Sequence, residues 1–129
     1  MKKAVIVVDA NQDQCRRFCT LLKKNQYLTI PLHSIQHLEA NIKQSNSLAV
    51  FIDIDTVPVN NRTVREFTIK FPELYFFCLS EQSFHPELED AICYHIYACI
   101  NKPVDPDELF YFLRSIHENE TDPNNQFAV

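Results

Sequence analysis

A short apolar run that stops at an acid constrains this chain more than any other stretch. Leu48 to Ile52 are apolar without a break, and Asp53 follows directly. Such a run is typical of a strand that is buried on both faces, as in a parallel sheet. Ligands of open α/β sheets bind just outside the carboxyl ends of such strands. Asp53 is therefore the expected centre of any chemistry that the chain carries.

Four further apolar segments predict strands, and helical patterns lie between them. With the central run, the predicted strands cover residues 4–8, 27–32, 48–53, 74–79 and 96–100. Helical spacing and capping residues predict helices over residues 12–24, 35–44, 63–70, 86–94 and 106–117. This alternation predicts an α/β fold, a (βα)5 doubly wound parallel five-stranded sheet with helices on both faces. The domain covers residues 1–117, and residues 118–129 are expected to be a polar tail or linker.

The composition excludes several classes of function. The net charge is −5 and no basic cluster is present, which argues against direct binding to nucleic acid. No apolar run reaches the roughly 18 residues that a membrane span needs, and no signal peptide is visible, so the expected location is the cytoplasm. The chain has no glycine, which excludes the glycine-rich phosphate loops of P-loop and dinucleotide-binding proteins.

The cysteines and histidines do not predict a metal centre. The five cysteines are an odd number without a secretion signal, so reduced thiols are expected. Cys15 and Cys19 share a helix face, but no second pair of ligands follows at a metal-binding spacing. Core packing is therefore the interpretation for these two thiols, and none of the scattered histidines is expected to be a ligand.

Polar residues end four of the predicted strands. Asp9, Asp53 and Ser80 end the first, third and fourth strands, and Lys102 follows the fifth. Because the carboxyl ends of parallel strands meet at one edge, these side chains are expected to converge. Carboxylates bind Mg²⁺, an aspartate can attack a phosphoryl group, and a lysine can pair with a phosphoryl oxygen. For any one of these residues, the alternative is an Asp–Lys ion pair at the sheet edge.

Together, these strand ends resemble those of the receiver domain of bacterial two-component response regulators. The resemblance covers roughly residues 3–116, and its matching segments are Val7 to Asn11, Val50 to Asp53, Phe77 to Ser80, and Asn101 to Leu109. The last of these contains the Lys-Pro turn into the final helix, which is the most specific of the motifs. The resemblance implies a flavodoxin-like fold with strand order 2-1-3-4-5.

The resemblance also implies a function in signal transduction. Asp53 would accept a phosphoryl group from a histidine kinase or phosphotransfer protein, with Mg²⁺ bound, and Ser80 and Lys102 would contact the new phosphate. The change would pass to an attached or partner effector through the face of the fourth helix, fifth strand and fifth helix, which often dimerises. The aromatic residues expected in such a homodimer are Tyr94, Tyr97, Phe110 and Phe112. The alternative is that one or more of them line the core, and for Phe112 this is the favoured interpretation. The domain is not expected to be an enzyme, because no nucleophile–base pair or cofactor motif is present.

Several residues depart from the pattern of that family. Ala10 replaces its second acid, which weakens the metal site, so the predicted Mg²⁺ ligands are Asp9, Asp53 and Asp55. The alternative for Asp55 is a solvated loop acid. Two other departures are Glu81, where the family prefers a small residue, and Cys99, where it usually has an aromatic residue.

These departures keep two other hypotheses open. One is a pseudo-receiver, a phosphorylation-independent interaction or dimerisation module like the N-terminal domain of some bacterial transcription activators. The other is the receiver-like wing domain of the bacterial basic amino-acid decarboxylases, which also has an Asp-x-Asp after its third strand, although the Lys102-Pro103 turn favours a regulator.

The charges around Asp53 give an expectation for stability. Asp9, Asp55 and Glu81 are expected near it, with Lys102 as the only fixed positive charge. Like charges disfavour an ionised carboxylate. The sequence therefore predicts that Asp53→Asn raises the melting temperature.

Overall fold

The structure is a computed structural model that describes residues 3–83 and 85–121, apart from the side chains of Cys93 and residues 119–121. Within these residues, five strands alternate with five α-helices. The strands are β1 (Ala4–Val8), β2 (Leu28–Leu32), β3 (Ser47–Asp53), β4 (Tyr75–Ser80) and β5 (Ala98–Asn101). The helices are α1 (Gln12–Lys24), α2 (Leu38–Gln44), α3 (Asn61–Lys70), α4 (Glu89–Tyr94) and α5 (Pro106–Thr121).

The strands form one parallel sheet in the order β2-β1-β3-β4-β5. This arrangement confirms the predicted fold class and strand order. Every residue of β1 and β3 is buried, as expected for strands with helices on both faces. Pro31 lies in β2, at an edge of the sheet, where a residue without an N–H group is tolerated.

Successive residues of each strand contribute to cores on opposite faces of the sheet. Val5 and Val7 of β1 pack with residues of α1 and α5, whereas Ile6 and Val8 pack with residues of α2. This alternation follows from the two-residue period of a strand. The rings of Phe51 and Phe77 stack on the α1–α5 face with their centroids 4.4 Å apart.

The ends of several elements differ from the prediction. Two predicted helices begin as 3-10 turns, at Ile35–His37 and Pro86–Leu88, before the α-helical part starts. The last helix continues to Thr121, four residues beyond the predicted end, since no proline interrupts it before position 123. Residues 122–129 lie outside the described part, and the division into a domain and a tail stays a prediction. No described helix is both long and apolar enough to cross a membrane.

Candidate functional site

The carboxyl edge of the sheet brings the predicted site residues together. Asp9 follows β1, Asp53 ends β3 and Ser80 ends β4. Each of the three is almost completely buried. Lys102 follows β5, and its Nζ lies 2.6 Å from Oδ2 of Asp53. The predicted convergence of two carboxylates, a hydroxyl and an ammonium group is therefore present, while the roles assigned to these residues remain predictions.

Asp53 has at least two hydrogen-bond donors on each carboxylate oxygen. Oδ1 accepts from the backbone N–H groups of Asp55 and Thr56, at 3.0 and 3.1 Å. Oδ2 accepts from Lys102 Nζ at 2.6 Å and from the Gln14 side-chain amide at 2.7 Å. Hydrogen bonds to the ionised form stabilise it. The like-charge argument counted Lys102 but omitted the neutral donors, which are two backbone amides and the Gln14 side chain. The opposite effect of Asp53→Asn on the melting temperature is therefore expected.

Gln14 is the main site residue that the sequence prediction missed. Its Nε2 donates to Oδ2 of Asp9 at 2.6 Å and to Oδ2 of Asp53 at 2.7 Å, so one amide bridges both acids. Its Oε1 lies 3.3 Å from Lys102 Nζ and accepts from it.

A sequence signal for Gln14 existed. Asn11 caps α1 by accepting a hydrogen bond from the backbone N–H of Gln14, at 3.0 Å. In a capping box, a glutamine at this third helical position reaches back toward the cap. Here the side chain reaches further, to the ends of β1 and β3, because α1 starts directly beside them.

Thr56 is a second residue that the prediction missed. Its hydroxyl donates to Oδ1 of Asp9 at 2.9 Å and accepts from the backbone N–H of Ala10 at 3.1 Å. The backbone N–H of Asn11 donates to the same Asp9 oxygen at 2.9 Å. Thr56 therefore ties the loop after β3 to the end of β1.

Asp55 leans into the site, so the solvated-loop interpretation is wrong. Its Oδ1 accepts from the Ser80 hydroxyl at 2.8 Å, and its Oδ2 accepts from the Glu81 backbone N–H at 2.9 Å. The same Oδ2 lies 3.0 Å from Lys102 Nζ. A hydroxyl, a backbone amide and an ammonium group thus converge on one carboxylate, which is an arrangement suited to binding an anion.

These contacts shift the pKa values of Asp55 and Lys102. Burial alone would raise the pKa of Asp55, but the Glu81 amide, the Ser80 hydroxyl and Lys102 hold it below its ordinary value. Burial alone would lower the pKa of Lys102, but Asp53 and Asp55 hold it above its ordinary value. Both shifts favour the charged forms, so the ion pair between Asp55 and Lys102 persists across neutral pH.

The residues at the edge do not fit a Mg²⁺ ion as they are arranged. The Gln14 amide N–H groups face the Asp9 and Asp53 oxygens that would have to coordinate the ion. Both oxygens of Asp55 are directed at Ser80, Glu81 and Lys102. Ala10 supplies no side-chain oxygen, and no group of three or more His, Cys, Asp or Glu among the described residues is placed to hold a metal. Cation binding by Asp9, Asp53 and Asp55 would need Gln14 to move.

The fold and this edge define a class of protein, the doubly wound α/β domains with polar residues at the carboxyl ends of their strands. Within this class, the chain has the fold of response regulator receiver domains. It is similar to a CheY-like receiver domain from Methanospirillum hungatei JF-1, with a TM-score of 0.81 and 16% identity over 93% of this chain and 98% of that one.

Two further solved structures show the same fold. A two-component response regulator from Clostridium difficile has a TM-score of 0.81 and 10% identity, covering 94% of this chain and 100% of that one. The signal receiver domain of an HD domain-containing protein from Pseudomonas fluorescens Pf-5 has a TM-score of 0.79 and 18% identity, covering 92% and 88%. No family model matches the sequence, and no curated protein matches it.

Proposed function

We propose that this chain is a pseudo-receiver, a signalling module with the receiver fold that acts through protein contacts and not through phosphorylation of Asp53. The observation that carries the proposal is the Gln14 amide between Asp9 and Asp53. Phosphoryl transfer depends on positive charge placed at the transferred oxygens. A neutral amide at this position holds the two acids together without supplying that charge.

Asp55 supports the same proposal from the other side of the site. A phosphoryl group on Asp53 would need hydrogen-bond donors, and Ser80, the Glu81 amide and Lys102 already donate to the Asp55 carboxylate. The negative charge of Asp55 would also repel an incoming phosphate. The carboxylates that would bind a cation are thus occupied by Gln14. The donors that would bind a phosphate are occupied by Asp55.

The second candidate is a working receiver that accepts a phosphoryl group on Asp53 from a histidine kinase or phosphotransfer protein. It is favoured by the 2.6 Å contact between Lys102 and Asp53, with Ser80 at the end of the next strand. In this case Mg²⁺ would have to displace Gln14, and Asp55 would have to release Ser80.

A phosphodonor experiment separates the two candidates. We expect no phosphoryl-dependent mass gain when the wild type is incubated with acetyl phosphate and excess Mg²⁺ and measured by intact mass. Asp53→Asn reports modification at other residues. Ala10→Asp combined with Gln14→Ala restores an acid and removes the bridging amide, so this variant is expected to gain more phosphoryl than the wild type. A mass gain in the wild type that Asp53→Asn abolishes would establish a working receiver.

The proposed contact surface is the face formed by α4, β5 and α5. Three tyrosines are exposed there, with 79% of Tyr94, 40% of Tyr97 and 61% of Tyr111 accessible to solvent. Phe110 and Phe112 were also expected on this face, but both pack partly on the core, Phe110 against Tyr27 and Phe112 against Phe77. The proposed occupant is a second copy of the chain, and an attached or partner effector would receive the signal.

Sedimentation across the micromolar range tests the homodimer. Aromatic residues are enriched in interface cores, so Tyr94→Ser with Tyr111→Ser is expected to raise the dimer dissociation constant by about tenfold or more. Leu28→Ser is the matched control, since Leu28 is an exposed apolar residue on β2, at the opposite edge of the sheet. A wild-type monomer at all concentrations, or equal weakening by the control, would contradict this surface.

A further inference from the structure

Two cysteines lie side by side on neighbouring strands. Cys78 of β4 and Cys99 of β5 are register partners in the parallel sheet, and both are free thiols. Register partners in neighbouring strands place their side chains on the same face of the sheet. Cys78 packs there with Val64 and Ala91 of α3 and α4.

The two thiols differ in their access to solvent. Cys78 is 1% exposed, whereas Cys99 is exposed. A hydrogen bond from the Cys78 thiol holds the pKa of Cys99 below its ordinary value. The same hydrogen bond, together with burial, raises the pKa of Cys78. Because the thiolate is the reactive form, Cys99 is expected to react first with a dissolved oxidant, while Cys78 is shielded from solvent.

The backbone spacing is compatible with a bond between them. Neighbouring strands lie about 4.8 Å apart, within the Cα separation of roughly 4.4–6.8 Å found in disulfides. The Cβ atoms must approach to about 3.8 Å, which requires a small local shift. β5 has four residues and lies at an edge, with β4 as its neighbour in the described sheet, so it is the strand that can make this shift.

We propose that Cys99 and Cys78 form a peroxide-sensitive thiol pair. The Cys99 thiolate sulfur attacks one oxygen of hydrogen peroxide, the O–O bond breaks, and hydroxide leaves, so the sulfur is oxidised by two electrons to a sulfenic acid. The Cys78 sulfur then attacks the Cys99 sulfur. The S–S bond forms, the S–O bond breaks, and hydroxide leaves with the Cys78 proton as water.

A bond at this place joins the strands that carry half of the candidate site. Two positions after Cys78 and Cys99, Ser80 pairs with Asn101 in the register of the same two strands. The backbone N–H of Lys102 donates to the Ser80 carbonyl at 2.9 Å. The disulfide would therefore fix the ends of β4 and β5 relative to each other, next to the donors that hold Asp55. This inference does not depend on whether Asp53 is phosphorylated.

Peroxide treatment of the folded chain, followed by alkylation and cleavage after glutamate, tests the proposal. Cleavage places Cys78 in fragment 74–81, and Cys93 with Cys99 in fragment 90–108. We expect a cross-link between these fragments that has lost two hydrogen atoms. Cys93→Ser should keep the cross-link, and Cys99→Ser should abolish it.

Cys15 and Cys19 serve as an internal control in the same sample. Both are buried, and burial raises the pKa of Cys15 to about 12. Cys99 is therefore expected to lose its free thiol about tenfold faster or more than either of them. A trapping reagent for sulfenic acid should label Cys99 in a Cys78→Ser variant if that variant folds.

Three results would overturn the proposal. One is oxidation of Cys99 no faster than oxidation of Cys15 and Cys19. Another is oxidation of Cys99 to a sulfinic acid without a cross-link. The third is a cross-link that persists in Cys99→Ser, since this would place the bond between Cys78 and Cys93.

Discussion

Asp53→Asn is expected to lower the melting temperature of this domain by roughly 10 °C. The substitution replaces one carboxylate oxygen with an NH₂ group that faces N–H donors of Gln14 and Lys102. Breaking one partner of a buried ion pair costs about 3 kcal/mol or more, and Lys102 keeps its contact with Asp55. For a domain of this size, 1 kcal/mol corresponds to about 3–5 °C. Thermal unfolding followed by circular dichroism measures the shift.

Asp13→Asn is the matched control for this prediction. Like Asp53→Asn, it removes one negative charge, but on α1. The Asp13 side chain is exposed there and pairs with Arg16 on the surface. Exposed pairs of this kind contribute about 0–1 kcal/mol, so the control should move the melting temperature by no more than a few degrees. A higher melting temperature for Asp53→Asn would reverse the conclusion and restore the like-charge argument.

Gln14→Ala is expected to make the stability of the domain depend on Mg²⁺. The variant loses two hydrogen bonds to carboxylates, and we expect the free energy of unfolding to fall by about 2 kcal/mol or more. Asp9 and Asp53 then face each other without the amide, and a cation that binds only the folded state stabilises it. Millimolar Mg²⁺ should therefore raise the melting temperature of Gln14→Ala and leave that of the wild type unchanged.

Two variants sharpen this experiment. Gln12→Ala changes an exposed glutamine in the first turn of the same helix, so it should behave like the wild type in both conditions. Adding Ala10→Asp to Gln14→Ala should strengthen the response to Mg²⁺, because it supplies another carboxylate. An equal response of the wild type and Gln14→Ala would mean that the amide does not compete with the cation.

The sequence was sufficient for the fold and for the position of the site. Unbroken apolar runs such as Leu48 to Ile52 specify strands that are buried on both faces, and parallel strands necessarily place their carboxyl ends at one edge. Asp9, Asp53, Ser80 and Lys102 could therefore be brought together without a structure. The prediction needed only the order of the strands and the residue that follows each one.

The contacts within the site could not be predicted in the same way. The Gln14 side chain can satisfy its own helix cap or reach the acids, and only the placement of α1 against β1 and β3 decides between them. Asp55 likewise finds its donors on β4 and after β5, which are distant in the sequence. The expected effect of Asp53→Asn on stability changes sign for this reason, since an inventory of charged residues omits the amides that tertiary structure supplies.

The proline in β2 has a consequence for how copies of this sheet can meet. The Leu32 carbonyl accepts from the Asp9 N–H, so the backbone polar groups of Leu32 face β1. Because these groups alternate along a strand, those of Pro31, one residue earlier, face away from the sheet. The N–H that Pro31 lacks is therefore one that would have faced solvent. Within β2, the alternation leaves Thr29 as the outward donor. An incoming strand would find one donor fewer at this edge, so Pro31 disfavours edge-to-edge pairing on the β2 side of the sheet.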